Sequence, residues 1–263
     1  MEFAGPGKPL TQEALDEAAG IVGIPGAAMW AVIQVESSGA GYLEDRRPKI
    51  LFERHLFHRA TGGSFDLTHP DISDPKRGGY GAGGAHQYDR LAEAIDLDRD
   101  AALASASWGL GQVLGSNFRI AGFADVEDLV AKMVRSERHQ LLGMINFIKS
   151  NNLGVHLRNE NWLAFALGYN GQAAEEQGYP TKLQSAFEAF RDGSPPDIRV
   201  RIAQLALSLL GHSPKGVDGL FGNNTRRALQ RFEQAEGLPQ TTDLTDAIFD
   251  ALVAKAFDGD LGA

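Results

Sequence analysis

The residue best placed to do chemistry lies in "AVIQVESSGAGY", Ala31 to Tyr42, where Glu36 ends an apolar run. On a helix, the residues seven, four and three positions back share its face. Here they are Met29, Val32 and Ile33. Apolar neighbours disfavour the ionised carboxylate and raise its pKa. A carboxylic acid kept protonated near neutral pH can give a proton to a glycosidic oxygen. Glu36 alone reads more simply as a glutamate at a frayed helix end beside serines.

Two further stretches shift that balance. "SASWGLGQVLGSNF", Ser105 to Phe118, sets Gly109 and Gly111 around Leu110 and follows them with Gln112. Glycines allow backbone to approach a ligand closely, and a glutamine side chain both donates and accepts. The alternative is a tight turn between helices. The glycine spacing misses the dinucleotide-binding fingerprint by one residue. "WLAFALGYNGQ", Trp162 to Gln172, puts Trp162, Phe165, Ala166 and Tyr169 at helical spacing, which is a core stripe. Tyr169 and Asn170 fall where that helix opens at Gly171, so their polar ends could face a cleft.

A second carboxylate is often paired with the first in glycoside hydrolysis. Glu53 is the candidate, because it stands among Ile50, Leu51, Phe52, Leu56 and Phe57. A charge in such company needs a purpose or a partner. An ion pair with Arg46, Arg47 or Arg59 is the competing reading. Asp45 and Glu44 are weaker candidates on a polar loop. His55 and His58 could share a helix face, yet there is no His-Glu-x-x-His and no evident third ligand, so no metal is expected. No Gly-x-Ser-x-Gly nucleophile elbow is present. The glycine-rich segment "RGGYGAGGAHQ", Arg77 to Gln87, lacks a following Gly-Lys-Ser/Thr and reads as a mobile lid over a cleft. No cofactor is expected.

The elements that must hold these residues are mostly helical. Thr11 caps a first helix bearing Leu15, Ala18 and Val22, and Pro25 and Gly26 break it. A second helix runs from about 27 to 38, with Gly39 as its stop. "PKILFERHLFH" is a short strand or hairpin entering a helix. Further helices are expected near 87–106, 125–150, 160–169 and 173–190, with Asp125 as a cap. "FRDGSPPD", Phe190 to Asp197, then stops the chain and stiffens a linker. The expected division is 1–191, a linker over 192–197, and a small unit over 198–263 with helices near 198–210, 223–236 and 243–256. In that unit Leu205, Leu209, Leu229, Phe232, Ile248 and Leu252 supply a core. Gly219 and Gly222 suit positive φ, and Asn223 or Asn224 caps the next helix.

Composition narrows the classes. The chain of 263 residues carries a formal charge of −9, which argues against broad nucleic-acid binding. Its lack of cysteine excludes disulfides and thiolate chemistry. No run of 18 apolar residues suggests membrane insertion. The start, "MEFAGPGKPL", does not have the pattern of a secretory signal.

In order, Glu36-Ser37, Gly109-Leu110-Gly111-Gln112 and Tyr169-Asn170-Gly171 resemble the motifs of the lysozyme-like superfamily, in the branch of goose-type lysozymes and lytic transglycosylases. With "PKILFERHLFHR" the resemblance narrows to the N-acetylmuramidase domain of modular phage endolysins, over roughly residues 10–190. It implies a mainly α, lysozyme-like fold with a small β-hairpin. It also implies cleavage of the β-1,4 bond between N-acetylmuramic acid and N-acetylglucosamine. Glu36 would be the general acid, and Ser37, Gln112, Tyr169 and Asn170 would bind the sugar. "VDGLFGNNTRRALQRFEQAEGLP", Val217 to Pro239, resembles the three-helix peptidoglycan-binding domain, although Glu233 replaces the usual glutamine and a second Asp-Gly is missing. Arg226, Arg227 and Arg231 are a solvated face or touch anionic groups of the wall. The resemblance further implies a monomer that waits in the host cytoplasm and acts in the periplasm or cell wall, with peptidoglycan as its partner. A lytic transglycosylase leaving 1,6-anhydro sugars, and a wall-binding protein on a decayed hydrolase scaffold, are the alternatives.

Overall fold

A computed structural model describes residues 2–37, 39–193 and 195–262. Ser38, where the second helix was expected to end, and Ser194, inside the expected linker, lie outside the described residues. The fold is mainly α and lysozyme-like, with a small antiparallel sheet.

Helix α1 (Gln12–Val22) begins where the Thr11 hydroxyl accepts from the Ala14 amide and ends on left-handed Gly23. Helix α2 (Gly26–Ser37) buries Ala28 through Ile33 without interruption. It is therefore a core helix wrapped by others, not a one-faced surface helix. Strand β1 (Ile50–Phe52) leads into α3 (Arg54–Thr61), and α4 (His86–Leu97) and α5 (Arg99–Ala104) follow. The single helix expected over 87–106 is split because Asp98 adopts extended backbone and caps α5 through the Ala101 amide.

Strands β2 (Ala106–Trp108) and β3 (Val113–Leu114) complete the sheet, in the order β1-β2-β3. Ile50 faces Trp108 and Ser107 faces Leu114. The Gly109–Gln112 turn thus joins two strands, not two helices. Helices α6 (Val126–Arg135) and α7 (Glu137–Ser150) replace the expected helix over 125–150. Extended Ser136 divides them and accepts from the His139 amide. Helices α8 (Gly154–Arg158), α9 (Trp162–Asn170) and α10 (Tyr179–Asp192) close the larger unit. Its core holds the fully buried Trp108, Phe52, Phe57 and Phe165.

Helices α11 (Ile198–Leu209), α12 (Asn223–Glu236) and α13 (Asp246–Phe257) enclose a second core of Leu205, Leu229, Phe232, Ile248 and Leu252, with Leu209 partly buried beside it. Gly219 has the expected positive φ of 74°. Gly222 does not: at φ −103° it is itself the residue before α12, and Asn223 is already helical. Glu233, the departure from the usual glutamine, is fully buried and accepts from the Thr241 amide and hydroxyl. Arg231 donates to the carbonyl of Ser213, and Arg226 to that of Thr242.

Candidate active site

Glu36 sits on the last turn of α2, where the buried helix reaches a groove of about 760 Å³. Ser37, Glu53, Gln112, Tyr169 and Asn170 line the same groove. Glu36, Glu53 and the four expected sugar contacts are therefore brought to one place, whereas Glu44 and Asp45 are not among the groove's lining residues.

Asn170 ends α9 and donates its amide to both Glu36 oxygens, at 3.0 and 3.2 Å. Two opposed effects act on the carboxyl. Burial pushes its pKa up from 4.5 to about 7, and donation from Asn170 pulls the other way. Burial wins, so the group is a mixture of acid and base near neutral pH.

Tyr169 is held rigidly. Its ring stacks on Phe165 and meets Phe147 edge-on, each at 5.4 Å, and its hydroxyl donates to the Gly111 carbonyl at 2.6 Å. Burial, with the charge of Glu36 second, pushes its pKa well up, so it stays a phenol. Ser37 spends its hydroxyl proton on the Ile33 carbonyl. Gln112, in left-handed backbone at φ 46°, donates to the carbonyls of Gly109 and Lys49, which leaves its amide oxygen as the acceptor.

The glycines of this turn make room for side chains of the protein itself. A Cβ on Gly109 would stand 2.6 Å from Gln140 Cδ, and one on Gly111 would stand 2.5 Å from Met144 Cβ. Gln140 is fully buried, accepts from the Leu110 amide at 2.8 Å and donates to the Met133 carbonyl. Sequence reading missed Gln140 and its neighbour Glu137. The signal was there: both stand at helical spacing from Leu141, Met144 and Ile148, on the buried face of α7.

Glu53 precedes α3 but does not cap it. No arginine pairs with it among the described residues. Arg47 pairs with Asp45, and Arg46 reaches the Pro6 and Ala256 carbonyls. Its neighbour is His55, whose Nδ1 lies 3.1 Å from Oε2 without the alignment of a hydrogen bond. Burial holds His55 below its usual pKa, against the pull of Glu53, with Arg77, Arg59 and Arg54 adding to the burial effect. Glu53 Oε2 and Asn170 Oδ1 are buried and unpartnered. Both atoms are therefore free to accept from a group placed in the groove. Arg59, Arg77 and Tyr80 border this end. The glycine segment expected as a lid is tied at its base, where Gln87 donates to the Tyr80 and Ala82 carbonyls and Arg54 to that of Gly78. His58 pairs with Asp66, away from His55, and no metal-binding cluster occurs among the described residues.

A carboxyl with a raised pKa at the end of an apolar helix, beside a small sheet and facing a groove, is the arrangement expected of a lysozyme-like glycoside hydrolase. The sequence profile of the N-acetylmuramidase family matches residues 25–191, and that of a peptidoglycan binding domain matches residues 197–252. The chain belongs to the N-acetylmuramidase family and is a peptidoglycan hydrolase with an added peptidoglycan-binding domain. The crystal structure of the Burkholderia AP3 phage endolysin is similar, at 38% identity and a TM-score of 0.65 over 70% of this chain and 72% of that one. No curated protein matches the chain at significance.

Proposed function

We propose that the chain is a phage endolysin that hydrolyses the β-1,4 bond between N-acetylmuramic acid and N-acetylglucosamine, with Glu36 as general acid. The observation that carries this reading is the state of Glu36: half-buried at the end of an apolar helix, raised to about 7, and clasped by Asn170 over the groove. Protonated Glu36 gives its proton to the glycosidic oxygen as the bond to the anomeric carbon breaks. Positive charge then gathers on the sugar ring. Glu53 steadies that charge from the other carboxyl position. Water adds to the anomeric carbon, and its proton returns to Glu36 while Asn170 supports the carboxylate. Ser37, Gln112, Tyr169 and Asn170 bind the sugar, with the Gln112 and Asn170 amide oxygens as acceptors for its N–H and O–H groups.

The reading divides the chain into a catalytic domain over 1–191, a linker over 192–197 and a wall-binding domain over 198–263. It makes the protein a monomer without cofactor, held in the host cytoplasm until the wall becomes accessible, and indifferent to nucleic acid and membrane interior. Among the described residues no single helix is long and apolar enough to cross a membrane.

The test is Glu36→Gln, which keeps shape and removes the acid. Lysis of permeabilised cells should fall about 100-fold or more, the usual worth of a positioned acid. Near wild-type lysis would refute the assignment. Mass spectrometry of released fragments should find reducing N-acetylmuramic acid ends; 1,6-anhydro ends would mean a transglycosylase.

A further inference from the structure

The wall-binding domain reaches into the catalytic domain with one side chain. Arg201, on α11, is fully buried. Its guanidinium donates to both oxygens of Glu137, at 2.7 and 2.9 Å, and to the Gly39 carbonyl at 2.5 Å. Glu137, also fully buried, accepts in addition from the Gly41 amide at 2.9 Å and the Leu10 amide at 2.8 Å. Gly39 and Gly41 belong to the strand of chain that leaves α2 just after Glu36. Lys49 completes the grip, donating from Nζ to the Ser37 carbonyl at 2.8 Å. Lys49 thus holds the last carbonyl of the Glu36 helix, and Arg201, from the other domain, holds the Gly39 carbonyl two residues beyond it. Packing repeats the arrangement. Ala40 and Tyr42 belong to the core of the C-terminal domain, and Gly39 lies so close to the Val217 carbonyl that a Cβ there would overlap it.

A bidentate, charge-assisted pair of this kind fixes geometry as well as energy. Without Arg201, Glu137 would be a buried carboxylate with no directly paired cation, and the backbone it organises would lose its anchor. A module that only tethers an enzyme to its polymer needs no such contact.

We infer that Arg201 is a positioning residue for catalysis, through which the peptidoglycan-binding domain sets the end of α2 and the pose of Glu36. The inference rests on Glu36 being the acid. The domain then has two tasks, holding the wall and completing the catalytic domain.

The test uses the full-length chain and soluble glycan fragments of peptidoglycan, at a temperature where circular dichroism shows every variant folded. Arg201→Met should lower kcat about tenfold or more, since small displacements of reacting groups are costly. KM, and pelleting with insoluble wall, should stay near wild type. Arg201→Lys, which keeps the charge and one donor, should recover part of kcat. A folded Arg201→Met with wild-type kcat would overturn the inference. So would a loss of kcat matched by an equal loss of pelleting, which marks a collapsed binding domain. Should Arg201→Met fail to fold, the pair Arg201→Met with Glu137→Met removes both charges and spares the buried carboxylate. That pair should fold with low kcat, and wild-type kcat in it would be fatal to the idea. Amide exchange at Gly39 to Gly41 should quicken in Arg201→Met whichever residue is the acid, so a failure of the Glu36 assignment is told apart from a failure of the clamp.

Discussion

Glu36 carries a conflict between stability and chemistry. Its folded pKa of about 7 stands above the ordinary 4.5. A carboxyl raised in this way supports the fold fully below pH 4.5, and that support is lost as the pH climbs through about 7. Glu36→Gln should therefore leave urea stability unchanged at pH 4 and raise it by about 1–3 kcal/mol at pH 8, taking about 1.4 kcal/mol per pKa unit and discounting for partial exposure. Equal gains at both pH values would contradict a buried, perturbed acid. Asn170 tunes the same group in the other direction. Asn170→Ala removes a donor to the carboxylate, so the Glu36 pKa should rise further and the alkaline limb of the activity profile should move to higher pH. Its kcat should fall at every pH, because the carboxyl loses its orientation. A limb that moves to lower pH would contradict this account. At this scale the sequence was highly informative about which residues converge. It was less so about their partners: Glu53 sits beside His55 and Tyr80 and forms no ion pair with an arginine among the described residues.

At the scale of elements, the hairpin turn between β2 and β3 is held from below by α7. Gln140 meets the Leu110 amide, and Gly109 leaves room for it. Gln140→Leu would leave that buried amide without a partner, while the Met133 carbonyl would keep the Tyr42 hydroxyl, at a cost of about 2 kcal/mol. Thermal melts should show the loss, and activity should drop with it because Gln112 rides on the same turn. Gly109→Ala should be at least as harmful, through positive φ (68°) and overlap with Gln140 together. A stable, active Gly109→Ala variant would show that the turn tolerates a shift. The turn was visible in the sequence as two glycines and a glutamine. Their reason was not, because the residue that needs the space lies about thirty positions further along, on α7.

The molecule as a whole has two cores joined by more than a linker. Besides Arg201 and Glu137, Lys8 donates to the Phe257 carbonyl and Arg46 to that of Ala256. Calorimetry of the intact chain should show one cooperative transition, with equal calorimetric and van't Hoff enthalpies. Arg201→Met should split it in two. Two well-separated transitions in the wild type would mean that the halves fold independently. The net charge of −9 plays no visible part in this union, which uses individual buried or half-buried cations and carbonyls.

Local signals determined much of this protein without any coordinates. Caps at Thr11 and Asp125, the break at Pro25, and apolar spacing in the C-terminal helices act over a few residues, and the fold follows them, although the stop falls on Gly23 and Gly26 already opens α2. The ordered motifs around Glu36, Gln112 and Asn170 are likewise readable along the chain, and they gather at one groove. Only the tertiary structure decided how far Glu36 is kept from water, what Gly109 makes room for, and that Arg201 of one domain answers Glu137 of the other. Those outcomes depend on which surfaces are pressed together in space. Spacing can point to a buried face, but close approach and long-range charge pairing leave no periodic trace in the chain.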